Sequence, residues 1–152
     1  MKKTSIFLLL ILSAIISQAQ TFKVKVVSVS DGDTFTALNR DDLQIRFRIY
    51  GIDAPERKQA FSSVSTDKLK EMIHGKKVTV TVHSRDGWGR YIVTVKAKKI
   101  KDISAEMLRL GLAWHYKEYD DTPLYAELEA NARKQHIVLL LDPDPVAPWD
   151  FR

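Results

Sequence analysis

The 152-residue chain contains no cysteine. That absence excludes thiolate zinc sites, iron–sulfur clusters, thiol nucleophiles and a lipid anchor on an N-terminal cysteine. There is no internal repeat and no low-complexity block. The four histidines, His74, His83, His115 and His136, lack ligand spacing, so a histidine-built metal site is not expected. What remains is ordinary globular composition, with 45% hydrophobic and 28% charged residues, which rules out a disordered tail or a collagen-like fibre.

The longest apolar run, Ile6 to Ile16, is broken only by Ser13 and is too short to span a bilayer as a helix. Lys2 and Lys3 precede it, and Ser17-Gln18-Ala19 places small residues where a signal peptidase reads them. Residues 1–19 therefore read as a secretory signal peptide, with export to the periplasm or the medium and no stable membrane insertion. Residues 20–152 suffice for one domain with a real core, expected to be a monomer.

Charge is unevenly spread. Residues 20–101 carry 17 basic and 9 acidic groups, whereas residues 102–152 carry 5 and 10. A basic half fits a polyanionic partner, because Lys and Arg displace counterions from phosphates. Charge alone fits a merely solvated face equally well.

Phe22 to Val29 and Thr34 to Leu38 read as a hairpin about Asp31-Gly32-Asp33. Leu43 to Ile52 alternates cleanly, with Ile45, Phe47 and Ile49 on one face and Arg46, Arg48 and Tyr50 on the other. Pro55 ends that ladder. A helix is expected over Val64 to His74, closed by Gly75, then strands over Val78–Val82 and Tyr91–Ala97. Ser104 reads as the N-cap of a helix through Leu110, closed by Gly111. A last helix starts at Thr122-Pro123 with Leu124, Leu128 and Ala132 inward. Tyr50, Met72, Met107, Leu108 and Leu112 are expected in the core or the barrel packing. The order β-β-β-α-β-β-α-α predicts an α+β fold with a mainly β core: a five-stranded Greek-key OB-fold barrel with three helices over residues 20–141. The Pro-rich tail 142–152 is expected to be extended, with Trp149 and Phe151 as docking anchors.

Two acidic pairs, Asp31/Asp33 and Asp53/Glu56, fall at strand ends. Carboxylates without His or Cys partners suit a hard cation such as Ca²⁺ or Mg²⁺. Taken singly, each pair is read as a turn. The arginines sharpen the case. Arg48 lies on the strand that runs into the second pair, and Arg90 follows a Gly-Trp-Gly bend. A phosphodiester attacked by water gains negative charge, which guanidiniums and a divalent cation neutralise, while one carboxylate handles the water. Glu56 is the free candidate for that last role.

Val29-Ser30-Asp31-Gly32-Asp33-Thr34, the run from Arg46 to Glu56, Asp86-Gly87-Trp88-Gly89-Arg90 and the run from Ser104 to Ala113 appear in that order. Together they resemble the successive motifs of staphylococcal nuclease-like proteins (thermonucleases), over about residues 22–141. The resemblance implies that Asp33, Asp53 and the backbone carbonyl of Ala54 bind Ca²⁺, with Asp31 in an outer shell. It also implies that Arg48 and Arg90 hold the scissile phosphate and that Glu56 is the general base or water-orienting group. Trp88, Tyr116, Lys117 and Tyr119 fall where relatives stack and hold a nucleotide. The implied activity is hydrolysis of DNA and RNA, leaving 3′-phosphate ends.

Three departures stand out. Gly87 replaces a basic residue of many relatives, and Ala54 a threonine of some. Ile137-Val138-Leu139-Leu140-Leu141 stands where relatives show Gly-Leu-Trp, which removes an easy left-handed helix cap and a packing anchor. Two other readings share the sequence: a non-catalytic nucleic-acid-binding barrel, and an extracellular interaction domain that binds Ca²⁺ structurally. A binder has no need of Glu56, which favours the nuclease.

Overall fold

The structure is a computed structural model that describes residues 19–138 and 144–152. The expected signal peptide, Ala19 aside, and the 141/142 boundary of the tail lie outside the described residues.

Five strands, β1 (Thr21–Val29), β2 (Thr34–Leu38), β3 (Gln44–Ile49), β5 (Lys77–Arg85) and β6 (Tyr91–Lys96), close a barrel in the order β1-β2-β3-β6-β5. All pairings are antiparallel except β3 with β6, which run parallel because α1 (Ser62–Ile73) and β5 lie between them in the chain. The alternation expected on β3 is realised: Phe47 and Ile49 are fully buried, and Arg46 and Arg48 face outward. Inside, Phe35 stacks on Phe47 at 5.2 Å, and Val26, Val80, Val93 and Val95 complete the packing.

Two short strands sit beside the barrel. β4 (Ile52–Asp53) pairs with β7 (Trp114–His115), so the chain after β3 extends one more rung before Pro55 ends it. The helices α1, α2 (Ile103–Arg109) and α3 (Pro123–Lys134) pack outside, and Leu69, Ile73, Met107 and Leu108 are fully buried. Among the described residues no helix is long and apolar enough to cross a membrane.

Local expectations fail in three places. The N-cap of α2 is Asp102, not Ser104: Asp102 accepts from the Ala105 N–H, while Ser104 donates to the Tyr50 carbonyl at 2.8 Å. Helix α3 buries Tyr125, Glu129 and Ala132, whereas Leu124 is 50% exposed. Tyr125 donates to Asp102 at 2.7 Å and Glu129 accepts from the His115 N–H at 3.1 Å, so polar pairing turns the helix from its hydropathic face. The tail is not wholly extended, since Pro148–Phe151 form a helical turn, α4, beyond the three helices expected.

Candidate active site

The turn between β1 and β2 brings Asp31 and Asp33 to one mouth of the barrel. Gly32 is what allows it. A Cβ there would lie 1.9 Å from Ser65 Oγ and 2.7 Å from Ala54 Cβ, so only glycine lets the turn press against α1 and the loop after β4. That approach lets Asp33 Oδ2 accept from the Ala54 N–H at 2.8 Å, which ties the two acidic motifs together.

Arg48 reaches the same point from β3, where Thr34 is its direct cross-strand partner. Its Nη1 donates to Asp33 Oδ1 at 2.9 Å and its Nη2 to Asp53 Oδ1 at 2.8 Å, with a further bond to the Ile52 carbonyl at 3.3 Å. Both carboxylates are buried. Burial opposes the charge on Arg48, but the fields of Asp33, Asp53 and Asp31 outweigh it and raise its pKa. The carboxylates remain in excess. Burial, then the Asp33 charge, pushes Asp31 up to about 7. Burial and Asp33 also raise Asp53, despite its contacts with Arg48 and Arg152.

Arg90 enters from the bend before β6. Its Nε donates to Asp86 Oδ2 at 2.7 Å, and its Nη1 reaches Thr34 Oγ1 at 3.4 Å. Thr34 donates in turn to Asp33 at 2.9 Å. The Arg90 guanidinium also lies 5.4 Å from the ring centre of Trp88. Asp31, Asp33, Arg48, Asp53, Ala54, Glu56 and Arg90 thus line one open cavity of about 410 Å³, with Trp88 at its edge. The sequence-based set of catalytic and metal residues converges.

The nucleotide-facing set divides. Trp88, Tyr116 and Tyr119 line an adjoining cavity of about 450 Å³ together with Arg48, Tyr50, Arg85 and Arg90. Tyr116 is held there by its N–H to the Gly51 carbonyl at 3.0 Å, a continuation of the β4–β7 pairing. Lys117 instead lines a neighbouring groove and pairs with Glu129 at 3.1 Å.

Sequence reasoning missed Arg152. It lines both cavities and bonds Asp53 Oδ2 and Glu56 Oε1, the latter at 2.9 Å. No spacing rule links it to residues nearly a hundred positions earlier; only the tail's aromatic anchors hinted at docking.

The donor set fits a hard cation. Every free donor at the mouth is oxygen, burial and then the Asp33 charge raise the pKa values of Asp31 and Asp53, and a guanidinium already sits on Asp53 as a cation would. Among the described residues no three His, Cys, Asp or Glu side chains form a ready-made cage.

A small closed barrel with two arginines and several carboxylates around one rim defines a site for phosphodiester chemistry. Residues 46–139 match the family described as staphylococcal nuclease homologue. An uncharacterized endonuclease of Escherichia coli O157:H7 is 41% identical over 128 residues, which cover 84% of this chain and 83% of that one. A micrococcal nuclease of Shigella flexneri is 36% identical over 86% of this chain and 80% of its own. The chain belongs to the staphylococcal nuclease family and is a hydrolase of the nuclease class.

Proposed function

We propose that the chain is an exported, Ca²⁺-dependent endonuclease acting as a monomer on DNA and RNA and leaving 3′-phosphate ends. The observation that carries this reading is the fork of Arg48 between Asp33 and Asp53, with Glu56 and Arg90 on the same cavity.

Asp33, Asp53 and the Ala54 carbonyl would hold the cation, with Asp31 behind them; when bound, it supplies positive charge beside the attacked phosphate. The other roles belong to the chain's own residues. Arg48 has spent three of its five N–H donors on Asp33, Asp53 and Ile52, which fixes its plane and leaves two for phosphate oxygens. Arg90 is braced by Asp86 and Trp88, so its guanidinium is positioned before a substrate arrives. Glu56 is half-exposed at the mouth, where it takes a proton from the water that attacks phosphorus. The P–O5′ bond then breaks, the 5′-oxygen leaves as a hydroxyl after taking a proton from solvent, and the phosphate stays on the 3′ side. Trp88 and Tyr119, both exposed, offer stacking faces to the flanking bases, a mode that tolerates any sequence, and Tyr116 adds the face that Trp149 leaves open.

The test is plasmid DNA incubated with residues 20–152, with Ca²⁺ or with a chelator. Calcium-dependent degradation that falls about 10²–10⁴-fold in Glu56→Gln, a loss typical of a missing general base, supports the reading. Arg90→Ala should fall comparably while both variants keep their circular dichroism. DNA that is retarded in a gel but left intact overturns it in favour of a binding module.

A further inference from the structure

The described part of the tail, residues 144–152, is docked by several independent contacts. Gln59 donates to the Val146 carbonyl at 2.6 Å, and Ala147 is buried against Trp114 and Ala132. Trp149 lies parallel to Tyr116, with ring centres 5.4 Å apart, and edge-on to Trp114 at 6.0 Å. The α4 turn then aims Arg152 into the acidic mouth, where Nε reaches Glu56 Oε1 at 2.9 Å and Nη2 bonds Asp53 Oδ2.

The choice of oxygen matters. Asp53 Oδ1 is committed to Arg48, and Asp33 Oδ1 and Oδ2 are committed to Arg48, Thr34 and the Ala54 N–H. Asp53 Oδ2 is therefore the oxygen of this buried pair that nothing in the barrel or its loops engages, the most open one for an incoming cation, and Arg152 holds it. Two cations on one oxygen of a buried carboxylate repel at close range. Arg152 also holds Glu56, the carboxylate that must be free to accept a proton.

We propose that Arg152 is a tethered competitor of the catalytic cation. In this scheme the 144–152 segment is a strap that occupies Asp53 and Glu56 and is released when a divalent cation binds. Cation affinity and the onset of activity are then set by how firmly Trp149 and Val146 dock the strap, and the coupling is reciprocal. This inference rests on the reading that Asp53 helps to hold the cation.

The test is calorimetric titration of CaCl₂ into the wild type, Arg152→Ala, Arg152→Lys and Asp53→Ala, without nucleic acid and with folding checked by circular dichroism. Hydrogen exchange of residues 144–152 is measured with and without Ca²⁺. Expected are binding about fivefold or more tighter in Arg152→Ala, an intermediate affinity in Arg152→Lys, and faster wild-type exchange across the strap once Ca²⁺ is added. Equal or weaker binding in Arg152→Ala, or exchange unchanged by Ca²⁺, overturns the competitor while leaving the cation site standing, provided Asp53→Ala abolishes the heat. No binding in any variant, or binding undiminished in Asp53→Ala, overturns the cation reading and this inference together.

Discussion

The backbone N–H of Ala54 donates to the carboxylate of Asp33 at 2.8 Å, across 21 residues of sequence, with both partners buried. This bond joins the first acidic turn to the loop that carries the second acidic motif. Asp33 thereby serves the fold and the site at once. Asp33→Ala leaves the Ala54 N–H and one arm of Arg48 without partners, so it should cost about 1–3 kcal/mol in urea unfolding. Arg48→Ala should cost more, about 3–5 kcal/mol, because it leaves buried Asp33 with no cationic partner and buried Asp53 with Arg152 alone. If Arg48→Ala is the milder of the two, the fork is not what balances the charge.

Gly32 makes a second, purely steric prediction. With Ser65 Oγ 1.9 Å from where a Cβ would sit, Gly32→Ala must displace either the turn or α1. Overpacking of this kind costs about 1–3 kcal/mol, and here it also moves Asp33 off its bond to Ala54. Ser65→Gly should relieve the clash, so the double variant loses less stability than the sum of the singles. Additive losses in a double-mutant cycle would place the strain elsewhere.

The placement of the rim residues is legible in the sequence because they sit in short motifs at strand ends, where side-chain type and strand phase together fix direction. The alternation along Ile45, Phe47 and Ile49 was enough to put Arg48 on the outer face. The helices are less legible, and for a single reason. Asp102 both caps α2 and accepts from Tyr125, and Glu129 is buried because it bonds the His115 N–H and pairs with Lys117 and Arg133. Hydropathy cannot see polar groups buried by their partners. Motif position sets Lys117 beside the nucleotide, but its partner Glu129 holds it in the next groove. Arg152 was invisible because its contacts depend on a tail folding back over the barrel mouth.

The segment after α3 carries a prediction of its own. Helix α2 ends with Gly111 in the left-handed region at φ 62°, its N–H bonded to the Leu108 carbonyl and that of Leu112 to Met107. Helix α3 ends with the same pair of bonds, His136 to Arg133 and Ile137 to Ala132, but the left-handed residue is His136 at φ 48°. The glycine cap expected to be lost in Ile137–Leu141 is thus made by His136, a residue whose Cβ resists it. His136 is exposed. His136→Gly should therefore raise stability by about 1 kcal/mol, seen as a higher urea midpoint at unchanged slope. A lower midpoint would mean that the imidazole makes up for its own backbone strain.

The excess of carboxylates at the mouth sets the pH dependence of the cation-free protein. Burial, and then Asp33, lifts Asp31 from 3.8 to about 7 in the folded state. In this window the folded chain binds the proton more tightly than the unfolded chain does. Stability from this group is therefore fully present below pH 3.8 and is lost as the pH rises to about 7, after which it is constant. Asp31→Asn keeps an oxygen to accept the Asp33 N–H but has no charge to confine. In chelator, urea midpoints of the variant and the wild type should nearly coincide at about pH 4, and the variant should lead by about pH 8. The lead should shrink when Ca²⁺ is added at high pH, because a bound cation relieves in the wild type the same repulsion that the substitution removes. A gap that is constant with pH would show that Asp31 acts through its hydrogen bond alone.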